Sequence, residues 1–488
     1  MPRIAASFMP PVALERHSRT PLYRQLSDWV RGAILEGQLR PGQRMPSTRG
    51  LAAELKLSRI PVLAAYEQLL AEGYLETFTG AGTCVARAIP GDAGRSLAAR
   101  PGRAAASTAR RVSRRAAKAH VVEYSWLTNL GTFRVGLPAL DRFPSAAWSR
   151  LVARHARKPP LEMLYYGEAE GHAPLREAIA GYLGAFRAVR CDASQVLVTT
   201  GSQQGLQLTA HVLLDPGDGV WMEEPGYPGA HLAFTLAGAG MIPVPVDGEG
   251  LDVVAGIKRG PGARAAYITP SHQFPLGTTL SAARRMQLLN WASRQGAWII
   301  EDDYDSEYRF GGRPLASLQG LDAEGRVIYV GTFSKVMFPA MRLGYLVVPK
   351  PLVSAFIAAR EAADTCSSSL YQAAMADFIR EGHFARHIRR MRKLYQERRS
   401  ALVEAIHAEA GGRLEVVGAE AGMQLTVLLP RGVDDVAVAR KAAAQGVSAR
   451  PLSSCHLKAP SRGGLILGYG GADLRAIREG VKKLVSCL

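Results

Sequence analysis

Apolar residues near the start of the chain recur at the three- and four-residue spacing of a helix face. One such set predicts a first helix: Leu22, Leu26, Trp29, Val30, Ala33 and Ile34. A Pro41-Gly42 turn comes next, and Ser47 and Thr48 can cap a second helix over residues 49–55. The pattern therefore predicts two helices joined by a turn.

A third helix and a hairpin follow in the same stretch. Ser58 can cap this helix, whose apolar positions continue to a stop at Gly73. Residues 74–78 then alternate as a strand, the glycines within 80–82 turn the chain, and residues 83–85 return as its partner. After a loose leader at residues 1–19, residues 20–87 are thus predicted to form a mainly helical domain that ends in a two-stranded wing.

From about Val122 the pattern changes to short apolar runs that alternate with helical stretches. An amphipathic helix is marked by Leu175, Ile179, Leu183 and Phe186, and residues 196–198 read as a buried strand. Further strand candidates are residues 219–222, 241–246, 265–268, 297–300, 327–330 and 343–348. This order predicts an α/β domain over residues 122–488 with a mostly parallel, helix-covered sheet. Helices and strands at 424–429 and 465–467 predict a small C-terminal α+β subdomain.

Between these two regions, residues 88–121 are rich in Ala, Arg, Gly and Ser and poor in large apolar side chains. From Arg87 to His120 there are nine Lys or Arg residues and a single acid, Asp92. This composition predicts a flexible basic linker. Its arginine pairs could touch phosphates, or the segment could be only a solvated tether.

Composition narrows the classes of protein that fit. The chain has 488 residues, enough for two or three domains, and its net charge of +18 favours a polyanionic partner. Its five cysteines are scattered and odd in number, which predicts a reducing cytoplasm, no disulfide framework and no metal site. No signal-peptide pattern and no apolar run of about 20 residues is present, so no membrane partner is expected.

The N-terminal segment resembles the GntR-type winged helix-turn-helix over nearly all of residues 20–87. The resemblance rests on residues 41–52, on Ser58-Arg59, on Glu72-Gly73-Tyr74-Leu75 and on Gly80-Ala81-Gly82-Thr83. It implies that double-stranded operator DNA is bound by the following residues: Arg49, Ser58, Arg59, Gly82 and Thr83. Ser58 and Arg59 stand at the helix end that enters the major groove in such proteins.

One departure from that family concerns what the third helix presents to DNA. The run Ile60-Pro61-Val62-Leu63 replaces more polar residues that many GntR-type readers carry. Fewer hydrogen bonds to base edges are therefore expected from this helix.

A candidate chemical site centres on Lys335. It follows the apolar run 327–330, stands beside Ser334 and precedes Arg342. Partial desolvation lowers the pKa of a lysine amine, while hydroxyl and guanidinium groups hold a phosphate, so this pattern suits a Schiff-base lysine. A surface lysine after a buried strand is the alternative for an isolated Ser-Lys pair.

Three other segments could complete such a site. Ser202 and Gln203 follow a strand and open a helix, where backbone N–H groups can receive a phosphate. Tyr227 lies in a Pro- and Gly-rich loop and could stack on a planar ring. Asp302 ends an apolar strand, where a buried carboxylate needs a partner such as a protonated pyridine nitrogen.

Together these segments resemble fold-type I PLP-dependent aminotransferases over about residues 122–488, with pyridoxal 5′-phosphate (PLP) as cofactor. The resemblance implies an internal aldimine at Lys335, with Asp302 (or Asp303) at the pyridine nitrogen. Tyr304 would bond the ring hydroxyl and Tyr227 would stack on the ring. The phosphate would be held by Ser202, Gln203, Ser334 and Arg342. Tyr166 would reach the phosphate of a partner subunit, which implies a homodimer.

Two departures from the aminotransferases stand out. Their Asn-Pro-x-Gly loop corresponds to Phe274-Pro275-Leu276-Gly277, and Ile466 stands where their carboxylate-binding arginine is expected. Arg450 or Arg134 could take over the grip on a carboxylate, or either could be structural. His272 could tune the ring or simply pack.

A GntR-type reader joined to an aminotransferase-like domain resembles the MocR family of transcription regulators. The resemblance implies a PLP-dependent regulator that binds operator DNA and dimerises. It would sense PLP itself, or a small amine or amino-acid effector, through an aldimine at Lys335. The alternative is an active aminotransferase that carries an accessory DNA-binding domain.

Overall fold

The computed structural model of the protein describes residues 12, 14–16, 18–78, 82–88, 112–119, 131–311 and 315–488. Two compact units divide the chain at Arg111 and Val112. No helix among these residues is long and apolar enough to cross a membrane.

The N-terminal unit consists of three helices and a hairpin, as the apolar periodicity predicts. Its elements are α1 (Leu22–Leu35), α2 (Thr48–Glu54), α3 (Arg59–Ala71), β1 (Leu75–Phe78) and β2 (Gly82–Val85). The strands β1 and β2 pair antiparallel. One core, which includes Leu26, Val62 and Leu69, joins the three helices. Val12 and Leu14, within the predicted leader, pack against it.

The two predicted caps in this unit differ in the structure. Ser47 caps α2, since its Oγ accepts a hydrogen bond from the Gly50 N–H at 3.0 Å. Ser58 occupies the N-cap position of α3, but its side chain makes no capping bond, so that expectation is wrong. Its hydroxyl is therefore left exposed at the start of the helix.

The second unit contains a large sheet whose strand order is β3-β10-β9-β8-β7-β4-β5-β6. Its strands are β3 (Val196–Thr199), β4 (Gly219–Glu224), β5 (Gly240–Asp247), β6 (Gly250–Leu251), β7 (Ala265–Ile268), β8 (Trp298–Asp303), β9 (Val327–Thr332) and β10 (Gly344–Val347). Neighbouring strands from β5 through β4, β7 and β8 to β9 are parallel, whereas β10 runs antiparallel to β9 and β3. The predicted mostly parallel sheet is confirmed.

Helices accompany this sheet along the chain. They are α4 (Arg114–Lys118), α5 (Ser145–Arg157), α6 (Leu161–Leu164), α7 (Ala173–Arg187), α8 (Ser202–Leu213), α9 (Pro228–Ala237), α10 (Val253–Arg259), α11 (Ala282–Gln295), α12 (Leu318–Leu321), α13 (Val353–Asp364) and α14 (Ser369–Arg380). Short 3₁₀ turns occur at Leu140–Arg142, Ala193–Gln195, Ser306–Tyr308, Pro339–Met341, Lys350–Leu352 and Leu452–Cys455. The helix α4 lies within the segment predicted to be a linker.

A small antiparallel sheet and further helices complete the unit, as the predicted C-terminal subdomain requires. The sheet has the order β11-β12-β14-β13, with β11 (Glu415–Val417), β12 (Gln424–Leu428), β13 (Arg450–Pro451) and β14 (Gly464–Gly468). The helices are α15 (His383–Ala410), α16 (Asp435–Ala444) and α17 (Leu474–Val485).

One residue of the predicted amphipathic helix lies on the wrong side. In α7, Leu175, Ile179 and Leu183 are buried, but Phe186 is 52% exposed. The next residue, Arg187, turns inward instead and pairs with Asp303 at 2.8 Å. The Phe186 ring does not take part in this ion pair; its centroid lies 5.2 Å from that of the Tyr182 ring.

Candidate functional site

A cavity of about 270 Å³ lies where the parallel strands of the large sheet end. This is the edge at which open α/β sheets bind their ligands. Eight of the predicted cofactor-site residues line it: Ser202, Gln203, Tyr227, Asp302, Tyr304, Ser334, Lys335 and Arg342. Residues far apart in the chain are therefore brought to one place by the strand order.

Asp302 presents an unsatisfied oxygen within this region. Its Oδ2 accepts a hydrogen bond from the Tyr267 hydroxyl at 2.8 Å, while its buried Oδ1 has no partner among the described residues. Burial raises the pKa of Asp302 to about 7. A buried acceptor without a partner is costly, so this carboxyl group is suited to a ligand that donates a proton or a hydrogen bond.

Asp303 points to the other face of β8, as the alternation of a strand requires. Its Oδ2 accepts hydrogen bonds from Arg187 Nε at 2.8 Å and from the Tyr329 hydroxyl at 2.5 Å. The carboxylate is satisfied within the protein and does not line the cavity. Of the two acids considered from the sequence, Asp302 alone faces the cavity.

The Lys335 amine is held by the backbone of a distant segment. Its Nζ donates a hydrogen bond to the Gly136 carbonyl oxygen at 3.1 Å. Gly136 adopts φ +72°, which favours glycine, and a Cβ atom there would lie 2.3 Å from Nζ, so a larger residue would displace the lysine amine. Burial lowers the pKa of Lys335, although Asp305 and Asp302 oppose this. The result is a primary amine that loses its proton more readily than an exposed one.

An anion cradle forms where α8 begins. Gly201 precedes the helix at φ +102°, and a Cβ atom there would lie 2.9 Å from Nη2 of Arg342. That nitrogen donates a hydrogen bond to the Thr200 carbonyl oxygen at 2.7 Å. Ser202 at the helix start and the guanidinium group thus face the same space. Helix N–H groups beside a guanidinium suit a phosphate or another small anion.

Aromatic side chains form the walls of the cavity. The Tyr227 and Phe274 rings meet edge to face with centroids 5.5 Å apart, and Phe274 meets Tyr304 in the same way at 6.2 Å. Phe274 therefore occupies a wall position where the sequence comparison with aminotransferases expects an asparagine. A flat ring fits between such walls.

His272 packs behind Tyr304. It does not line the cavity; its Nδ1 lies 3.1 Å from the Tyr304 hydroxyl and 3.1 Å from both oxygens of the buried Asp305 carboxylate. Gly422 packs closely against His272 and Asp305, because a Cβ atom there would lie 2.2 Å from His272 Cε1. Of the two alternatives for His272, tuning the ring or packing, its placement favours packing, in which it supports Tyr304.

At the far end of the cavity the small sheet contributes Arg450 and Gln424. Arg450 on β13 is the direct cross-strand partner of Ile466 on β14, which is itself buried against Phe274. The Gln424 Nε2 is buried and has no hydrogen-bond partner among the described residues. Arg134 does not line the cavity. The sequence indicated Arg450 but offered no sign of Gln424, a polar residue at the start of an apolar strand.

In the N-terminal unit, the predicted DNA-contact residues lie on exposed positions around the start of α3. Arg59 Nε donates a hydrogen bond to Thr48 Oγ1 at 3.2 Å, which joins the start of α3 to α2. Ser58 and Arg59 are exposed, and so is Arg49, which directly follows Thr48. Cationic side chains therefore flank the helix end that would enter a major groove.

The wing is described only in part. Gly82, at φ +81°, and Thr83 lie on β2, whereas the turn residues 79–81 lie outside the described residues. Arg44, which the sequence did not single out, forms an isolated bridge with Cys84. Its guanidinium group lies beside Gly82, where a Cβ atom would be 3.4 Å from Nη2. Arg44 therefore places a positive charge beside the wing.

Tyr166 is the predicted site residue that lies away from the cavity. It is 79% exposed, and its ring meets that of Tyr165 edge to face at 6.3 Å. Leu161 and Leu164 of α6 are also exposed beside it in sequence. These four residues, here called the α6 patch, form an exposed apolar segment of the chain.

Comparison with known proteins identifies both units. Residues 22–85 match the family of bacterial regulatory proteins called the gntR family, and residues 152–467 match aminotransferase class I and II. The probable rhizopine catabolism regulatory protein MocR of Rhizobium meliloti is 42% identical over 97% of this chain and 95% of its own. The pyridoxine biosynthesis regulator PdxR of Corynebacterium glutamicum is 31% identical over 96% of each chain.

A solved structure shares the fold of the second unit. It is α-aminoadipate aminotransferase LysN of Thermus thermophilus, complexed with N-(5′-phosphopyridoxyl)-L-leucine. It has 31% identity and a TM-score of 0.72, and covers 77% of this chain and 97% of its own. The chain therefore belongs to the MocR-like family of helix-turn-helix transcriptional regulators, in which a gntR-type DNA-binding domain is joined to an aminotransferase class I and II domain.

Proposed function

We propose that this regulator holds PLP in the cavity of its aminotransferase-like domain and changes its affinity for operator DNA when a small ligand reaches that cofactor. The ligand is PLP itself or an amine or amino acid. One observation carries the proposal: the unpartnered Asp302 Oδ1 and the Lys335 amine face one cavity, in a chain that also has a DNA-binding domain. In this proposal the segment 88–121 links the two domains, and the protein acts in the cytoplasm.

The residues around the cavity fit the cofactor. Asp302 would accept a hydrogen bond from the protonated pyridine nitrogen, and Lys335 would hold the aldehyde carbon. Arg342, Ser334 and the start of α8 with Ser202 and Gln203 would bind the phosphate, and Tyr304 would bond the ring hydroxyl. Bound PLP supplies an aldehyde that reacts with primary amines and a ring that withdraws electrons. Glycine at 136 and 201 leaves the space that Lys335 and Arg342 need.

The far end of the cavity supports an effector with a carboxylate group. Arg450 supplies a guanidinium group and Gln424 supplies an amide N–H that lacks a partner. Arg450 stands opposite Ile466, the position where aminotransferases are expected to carry their carboxylate-binding arginine. Arg450 on β13 would therefore bind the effector carboxylate in place of an arginine on β14.

Replacing Arg450 by glutamine should weaken the binding of an amino-acid effector by about tenfold or more, because a hydrogen bond to a charged group is lost. Binding of PLP itself should change little. The effector titration is followed by the visible absorbance of the bound cofactor, with Arg134→Gln as the matched control. Equal effector affinity in Arg450→Gln and the unchanged protein would contradict this assignment.

A homodimer is part of the proposal. The α6 patch of Leu161, Leu164, Tyr165 and Tyr166 is exposed in a single chain, and an exposed apolar patch commonly marks an interface. In a dimer, Tyr166 would contribute to the phosphate site of the partner subunit.

Operator binding in the presence of candidate ligands tests the main proposal. The probe is a duplex that the full-length protein selects from a random-sequence pool. Adding PLP to the cofactor-free protein, or one of a panel of amines and amino acids to the PLP-loaded protein, should change the affinity for this duplex by about fivefold or more. Unchanged DNA affinity with every ligand would exclude a sensor of this kind.

An active aminotransferase is the second candidate, favoured by the cavity residues that this chain shares in kind with the aminotransferases. The sensor and the enzyme are distinguished by an assay in which the PLP-loaded protein is mixed with amino acids and a keto-acid acceptor. Repeated turnover would identify an enzyme, whereas a single conversion or none, together with a change in DNA affinity, would identify a sensor.

A further inference from the structure

The recognition helix α3 exposes an apolar face where a DNA-binding protein usually presents polar side chains. Ile60 is 76% exposed and Leu63 is 39% exposed. The two are three residues apart and therefore lie on the same face of the helix. The neighbouring Val62 and Tyr66 point the other way into the core. The exposed pair is thus not needed to fill the interior of the domain.

This apolar face lies among positive charges. Ile60 directly follows Arg59, whose guanidinium group is bonded to Thr48 at the start of α2, next to Arg49. The one acid within α3 is Glu67, almost two turns further along the helix. A polyanion is the partner that this distribution of charge favours, and the gntR-family match makes that partner DNA.

The base edges of the major groove offer one apolar group, the C5-methyl of thymine. Residues in the first turn of a recognition helix are those that approach base edges. We propose that Ile60 reads a thymine in the operator by packing its side chain against this methyl group, with Leu63 extending the apolar contact. The replacement of a polar reader by Ile60-Pro61 then exchanges a hydrogen bond for an apolar contact and keeps base specificity.

The test uses the full-length protein and the duplex selected from a random-sequence pool. Each thymine of the consensus is replaced in turn by deoxyuridine, which removes the methyl group and leaves the hydrogen-bonding edge unchanged. At one thymine of each half-site, the loss of the methyl should weaken binding by about fourfold, the value of one buried methylene-sized group. The other thymines should respond less.

Variants connect this effect to Ile60. The Ile60→Ser protein should bind the thymine and deoxyuridine duplexes equally, whereas Ile60→Val should keep most of the difference. Ile257, an exposed isoleucine on α10 of the second unit, provides the matched control as Ile257→Ser. That variant should discriminate as the unchanged protein does.

Three results would overturn the proposal. One is a selected consensus without a fixed thymine, and another is a deoxyuridine scan with no sensitive position. The third is a methyl effect that persists in Ile60→Ser. If the third result comes with a changed oligomeric state of Ile60→Ser, measured by sedimentation, this face binds protein rather than DNA.

Discussion

Replacing Lys335 by alanine should remove the absorbance band of the lysine-linked cofactor and weaken cofactor retention by about 100-fold or more. The reason is that the only contact expected to hold the cofactor covalently is lost, while the phosphate and ring contacts remain. Retention is measured as the PLP left after extended dialysis. Because Lys335 donates its one observed hydrogen bond to a backbone oxygen of Gly136, the fold should tolerate the change.

Lys350 is the matched control for this experiment. It is an exposed lysine that pairs with Asp192 at 2.8 Å and lies outside the cavity. Lys350→Ala should retain PLP and its colour as the unchanged protein does. A Lys335→Ala protein that keeps the cofactor through dialysis would show that Lys335 is not the anchoring residue.

The adjacent acids Asp302 and Asp303 should give opposite results when each is changed to asparagine. Asp302→Asn should weaken PLP binding by about tenfold or more, because a hydrogen bond to a charged group is lost at the ring. Asp303→Asn should lower the free energy of unfolding by about 3–5 kcal/mol, because it leaves the buried Arg187 without its counter-charge. Cofactor titration and urea unfolding measure the two effects separately.

The pH dependence of stability provides a second measure of Asp302. Since the pKa of Asp302 is raised to about 7, the folded cofactor-free protein holds this proton between about pH 4 and pH 7, where the unfolded chain has released it. The resulting stabilisation is complete below pH 4 and is lost as the pH rises towards 7. Asp302→Asn should make this slope shallower, and the remainder should come from Glu223 and Glu307, because burial also raises the pKa of each to about 7. A cofactor loss in Asp303→Asn without any loss of stability would contradict the assignment of both acids.

Much of the fold follows from local patterns in the sequence. Apolar periodicity and turn residues predicted the three helices and hairpin of the first unit, and the order of apolar runs predicted the large parallel sheet. The segments that the sequence analysis placed beside Lys335 follow apolar runs, and parallel strands bring their carboxyl ends to one edge. These features depend on neighbours in the chain, which the sequence displays directly.

Other features depend on contacts between distant segments. The choice between Asp302 and Asp303 rests on which face of β8 is covered by Arg187, more than a hundred residues earlier. The proximity of Arg450 to the cavity depends on its register with Ile466. The inward position of Arg187, beside the exposed Phe186, likewise depends on its distant partner Asp303. Periodicity alone carries none of this information.

Two residues of chain connect the support of Tyr304 with the far end of the cavity. Gly422, just before β12, rests on the His272–Asp305 pair behind Tyr304, while Gln424, the first residue of that strand, lines the far end. Two residues of extended chain span about 7 Å. The residue that meets the effector end of the cavity and the glycine that packs against the support of Tyr304 therefore share one short piece of backbone.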